Sequence, residues 1–134
     1  MKWIITEHVH YDRTSTPWLI KRFIDKDAEF SFAPASEAKN LPKDAIPLAF
    51  PGAKLVREGG SLFIKVLREY KVQDPALEQV ATVVNKGVAY ATTDYRPEKD
   101  DLLGQMSVGL IAFADGLNLV ETDDQKRLDK TFMV

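Results

Sequence analysis

Residues 3–33 read WIITEHVHYDRTSTPWLIKRFIDKDAEFSFA, and the succession of patterns inside them decides the fold class. Trp3–Thr6 is a short apolar run rich in β-branched residues, the signature of a buried strand. Ser15 and Thr16 precede Pro17. A hydroxyl before proline marks a helix start, because the hydroxyl accepts an orphan N–H and proline pre-sets φ at the first helical position. Leu19, Ile20, Phe23 and Ile24 then recur at helical spacing, so the predicted helix ends near Asp25 to Asp27. Phe30 and Phe32 alternate within Glu29–Ala33, which reads as a second strand. Strand, helix, strand predicts a βαβ start with parallel strands.

Ser36–Leu41 carries one helical turn outside this stretch. Ala45–Phe50 reads as a third strand, at a sheet edge because Pro47 has no N–H for a central ladder. Pro51-Gly52 and Gly59-Gly60 mark turns. The rest is helical in pattern. Phe63, Val66, Leu67 and Tyr70 form one stripe. Asp74-Pro75 opens a helix with the stripe Leu77, Val80, Ala81 and Val84. Leu102, Leu103, Met106, Leu110 and Phe113 mark another, and Asp123–Phe132 the last. The expected fold is α+β: a small three-stranded sheet near the N-terminus, packed by about four to five helices mostly in the C-terminal half. Residues 1–134 form a single domain without internal repeats.

Composition narrows the function classes. A chain of 134 residues buries roughly two-thirds of its unfolded surface and needs no covalent staples to hold a core. Its net charge of −2 and pI near 5.7 disfavour a nucleic-acid surface, which needs a basic excess. There is no cysteine, which excludes disulfides, thiolate metal sites and cysteine nucleophiles. No continuous apolar run reaches the ~18 residues of a membrane span, and the start of the chain lacks a signal-peptide core. The default expectation is a cytoplasmic protein with no membrane partner.

Chemistry concentrates between His8 and Asp25. In an extended segment alternate side chains share a face, so His8, His10 and Asp12 would converge. Two imidazoles and a carboxylate are a ligand set for zinc, iron or manganese. The alternative is that a histidine bonds across the sheet and Asp12 caps a turn. A second constellation is basic. Arg13 precedes a helix N-terminus, where unpaired N–H groups and the macrodipole attract anions, and arginine adds bidentate oxyanion recognition. On the helix Trp18, Arg22 and Asp25 share a face. Arg13, Arg22 and Thr16 are therefore the candidate anion ligands. The alternative is that Arg22 pairs with Asp25, and Arg13 with Asp12, as structural ion pairs. Arg57-Glu58-Gly59-Gly60 lacks the spacing of a phosphate loop, and no histidine is placed for a Ser/His/Asp triad.

The run His10-Tyr11-Asp12-Arg13, Pro17-Trp18-Leu19-Ile20 and Arg22-Phe23-Ile24-Asp25 resembles the C-terminal domain of the chromate-resistance B (ChrB) proteins. The likeness continues through Ala28-Glu29-Phe30, Phe50-Pro51-Gly52 and Asp74-Pro75-Ala76-Leu77, over roughly residues 3–117. It implies a role connected with chromate resistance, in which family members are described as regulators or accessory proteins of efflux. It does not imply an enzymatic activity. Family members often carry Ala-Cys at the place of Ser15-Thr16, so a thiol role has no counterpart here. They often have a histidine before the glycine turn, where this chain has Arg57 and Glu58, and Glu58 is the candidate replacement in a metal set with His8, His10 and Asp12. The family's usual Asp-Ala-Leu-Tyr ending is replaced by Thr131-Phe132-Met133-Val134. In the regulators, DNA binding is attributed to a separate N-terminal region, so none is expected of these residues.

The reading that follows is a ligand-binding or sensing module for a small oxyanion or metal ion, with a homodimer left open. Two alternatives stand beside it: a small metal-dependent enzyme using His8, His10 and Asp12, and a structural or oligomerisation domain.

Overall fold

A computed structural model describes residues 1–133. The three expected strands form one parallel sheet: β1 (Lys2–Thr6), β2 (Glu29–Ala33) and β3 (Ala45–Leu48), in the order β2-β1-β3. Lys2 pairs with Glu29 and Ala45, and Ile5 with Phe32 and Leu48. β1 is central, and its Trp3, Ile4 and Ile5 are all buried, as a strand covered on both faces should be. β3 lies at an edge, where Pro47 leaves no ladder bond unmade.

Five helices follow the pattern of the sequence: α1 (Asp12–Leu19), α2 (Leu62–Glu69), α3 (Pro75–Thr92), α4 (Leu102–Val120) and α5 (Asp124–Thr131). Four of them open on side-chain caps. Ser61 accepts from Ile64 N–H, Asp74 from Ala76 and Leu77, Asp101 from Gly104, and Asp123 from Lys126. These caps satisfy N–H groups that the helices cannot satisfy internally. The core joins Trp3, Ile5, Leu19 and Ile20 to Phe63, Val66 and Leu67 of α2 and to Leu77, Ala81 and Val84 of α3.

Two expectations are corrected. The first helix starts at Asp12, three residues before Ser15, and Pro17 lies inside it. Proline has no N–H for the helical ladder. Beyond it the chain widens into a π-helical turn at Ile20–Ile24, closed by the Asp25 N–H on the Ile20 carbonyl at 2.7 Å. The wider turn shifts the register, so Leu19 and Ile20 stay buried while Phe23 swings out to 47% exposure. The second correction concerns α4. Its expected apolar stripe is largely exposed, with Leu102 at 70%, Met106 at 59% and Phe113 at 45%. The face that packs inward is Gly104, Ser107, Ile111 and Ala114. By length and composition α4 is also apolar enough to cross a membrane, with a mean hydropathy of 1.3.

Candidate functional site

The site is built at the junction of β1 and α1. Leaving the sheet, the chain turns sharply: His8 and Tyr11 both hold positive φ, at 62° and 46°, a conformation that costs energy for residues with a Cβ. Three contacts hold it there. The Arg13 guanidinium donates to the carbonyls of Thr6, Glu7 and His8 at 3.2, 3.0 and 3.1 Å. The Asp124 carboxylate accepts from the N–H groups of both His8 and Val9 at 2.9 Å, and is itself paired with Arg127 at 3.1 Å. The Tyr11 hydroxyl donates to the Val83 carbonyl of α3 at 2.8 Å. Its ring lies where Gly87 has no side chain: a Cβ there would fall 2.1 Å from the Tyr11 hydroxyl. Burial, then the nearby Asp12 charge, raises the Tyr11 phenol far above its ordinary value.

Asp12 is buried and caps a second helix. Its oxygens accept from Leu62 N–H at 2.6 Å, Phe63 N–H at 3.0 Å and the Thr16 hydroxyl at 3.3 Å. A carboxylate on the free N–H groups of a helix start is a favourable charge–dipole arrangement. Burial pushes the Asp12 carboxyl up, while these donors and Arg57 pull the other way.

The alternation that would align His8, His10 and Asp12 is broken by the two left-handed residues between β1 and α1. The His8 side chain is 81% exposed, near Glu7. His10 Nε2 lies 2.7 Å from Asp115 of α4, Asp12 is committed to α2, and Glu58 pairs with Lys65 at 3.0 Å. Among the described residues no three His, Asp or Glu side chains are grouped to hold a metal. A zinc, iron or manganese ion therefore finds no prepared site in this set.

The three expected anion ligands are separated as well. Thr16 is fully buried against Asp12. Arg22, in the π-helical turn, donates to the Phe132 carbonyl at 3.4 Å. Asp25 accepts instead from the Trp3 indole and the Met1 ammonium, both at 2.9 Å. Only Arg13 faces a cleft. That cleft, about 450 Å3, lies at the carboxyl ends of β1 and β3, with His10, Asp12, Arg13, Arg57 and Thr92 among its polar lining groups and Ala49 and Ile111 among its apolar ones; the Asp12 carboxylate is turned to the N–H groups that open α2. The Thr6 hydroxyl donates to the Ala49 carbonyl at 2.8 Å and ties the two strand exits together. Burial lowers the Arg13 guanidinium, the charges of Asp124 and Asp12 raise it, and the charge of Arg57 lowers it; arginine stays cationic throughout. Two guanidiniums near enough to repel form a cleft that gains from an anion between them.

Arg57 was not among the residues singled out from the sequence as anion ligands. Its one signal there was position, just before the Gly59-Gly60 turn. A second cavity, about 250 Å3 and mostly apolar, lies behind the same junction and shares His10 and Tyr11 with the cleft. Trp18, Val80, Leu110 and Phe113 are among its walls.

Comparison with known proteins bears on the same segment. The family described as "ChrB, C-terminal domain" matches residues 3–134, further than the resemblance traced from motifs. Protein ChrB of Cupriavidus metallidurans is 33% identical over 66 residues, which is 49% of this chain and 20% of that protein. No solved structure matches. With nearly all of its length matched, the chain belongs to the ChrB C-terminal domain family, and it spans a fifth of the length of the curated relative it matches.

Proposed function

We propose that the chain is a ligand-binding module whose cleft at the carboxyl ends of β1 and β3 takes a small oxyanion. One observation carries the reading: the guanidiniums of Arg13 and Arg57 line a single cleft at the place where the sheet changes direction. In the order β2-β1-β3, the chain leaves β1 toward one side and returns on the other, and the crevice at that switch point is where open parallel sheets bind ligands. Arg13 is fixed by three carbonyls, so it offers a preorganised charge. Arg57 is exposed on a loop and is free to close on an anion bidentately. Given the family, chromate is the first oxyanion to test, and a sensor that binds without turnover is the corresponding role.

The test is calorimetric titration of the 134-residue chain with chromate, sulfate and phosphate. At least one should saturate, and Arg57→Ala should weaken it at least ~10-fold, or about 1.4 kcal/mol, without lowering the melting temperature. Arg22→Ala should leave it unchanged. If no anion saturates by about 10 mM, or if Arg57→Ala binds as well as the parent, the proposal fails.

A further inference from the structure

α4 lies on the fold with its most apolar face turned out. Leu102, Met106, Gly109, Phe113, Gly116 and Val120 follow one another at steps of four and three residues. That is the 3.5-residue seam of a helix packed lengthwise on another helix. The only charge on α4, Asp115, lies off this face and is engaged by His10. The seam itself is uncharged.

The glycines make the face harder to explain from within the monomer. Glycine inside a helix costs stability relative to alanine. Gly87 and Gly104 have internal reasons: a Cβ would meet Tyr11 at 2.1 Å and Tyr95 at 2.2 Å. Gly109 and Gly116 have none, with nothing within 4 Å of a Cβ at either. Both lie on the exposed seam.

We propose that the outer face of α4 is the contact of an antiparallel twofold dimer of this chain. The seam is complementary to itself about Ile111. Turned end for end, it sets Phe113 over the partner copy's Gly109, Met106 over its Gly116, and Leu102 beside its Val120. Each large side chain meets a gap or an equal, as an isologous interface demands. Leu102, Met106, Leu110, Phe113 and Val120 are 41–77% exposed. At roughly 170 Å2 per side chain that leaves about 500 Å2 of apolar surface per copy. Stable interfaces average about 800 Å2 per partner and weak ones fall below about 600 Å2, so the pair belongs at the low end, with Kd of about 1–100 µM. Leu110 and Phe113 also wall the apolar cavity, so the partner helix would cover part of its rim.

Sedimentation of the full chain from about 1 to 500 µM, spanning that Kd, should show a monomer–dimer equilibrium of the 15.1 kDa chain. Gly109→Glu meets no internal contact and should fold, yet raise Kd at least ~100-fold. The chain has no cysteine, so introduced pairs report cleanly. The double variant Met106→Cys with Gly116→Cys should crosslink between copies, because within one helix the two sites are about 15 Å apart and out of disulfide reach. Met106→Cys alone should not crosslink. A chain that stays monomeric throughout, a dimer that survives Gly109→Glu unchanged, or efficient crosslinking of Met106→Cys alone would overturn the proposal. So would flotation of the monomer with phosphatidylcholine vesicles, which would mark the face as a lipid surface.

Discussion

The β1–α1 junction and the outer face of α4 are opposites. Between Thr6 and Arg13 the chain is tied down by polar contacts: Arg13 holds three carbonyls, Asp124 two N–H groups, Asp12 the start of α2. Along α4 there is a single charge and a row of exposed apolar side chains. The segment densest in chemistry is mostly occupied with holding its own turn, and little of it is left to meet a ligand. The plain helix is the one with surface left uncovered. Density of reactive residue types in a sequence measures what a segment could bind, while the fold decides how much of that is already engaged within the chain.

This contrast can be broken at its strongest point first. Asp12→Ala strips the acceptor from two buried N–H groups and should cost about 2–4 kcal/mol in urea unfolding. Asp12→Asn, which keeps one acceptor oxygen, should cost less than half of that. A loss below about 1 kcal/mol would show that the junction is not tied as described. On α4 the sign reverses. Gly116→Ala fills open space on a helix and should stabilise the folded monomer by about 0.5–1 kcal/mol, read in dilute solution where association is negligible; destabilisation would mean that the helix already has a neighbour there.

The smallest effect is acidic. Asp25 is held low by the Trp3 indole and the N-terminal ammonium, and Asp101, the cap of α4, by Tyr95, Lys86 and Gly104 N–H. A carboxylate whose folded pKa lies below its unfolded one, about 3.9, adds stability above that value and loses it as pH falls through the folded pKa. Melting temperature should therefore decline below about pH 4. Asp25→Asn and Asp101→Asn should each flatten part of that decline, and an unchanged profile in both would remove these pairs from the account.

Much of the architecture was legible from the chain. Proline at position 47 put β3 at an edge, alternating Phe30 and Phe32 marked β2, and Asp74-Pro75 opened α3, because each signal is local and acts through backbone geometry. The stripe on α4 was equally legible, but periodicity tells which residues share a face and not what that face meets. The site was harder. The alternation of His8, His10 and Asp12 holds only for extended backbone, and left-handed φ at His8 and Tyr11 leaves no mark in residue type when neither residue is glycine. Asp124 acts on His8 across 116 residues of sequence, and no local pattern announces such a partner. Arg57 reaches the cleft because β3 and its loop return beside β1, a fact of topology.

The fit of Tyr11 into the notch at Gly87 has a consequence for comparing sequences. The ring fills the volume that any side chain at 87 would need, with ring carbons as near as 2.3 Å to a Cβ there. Positions 11 and 87 are therefore one character written in two places. Across relatives they should vary together, an aromatic at one requiring glycine at the other, and a bulkier residue at 87 accompanied by a smaller one at 11.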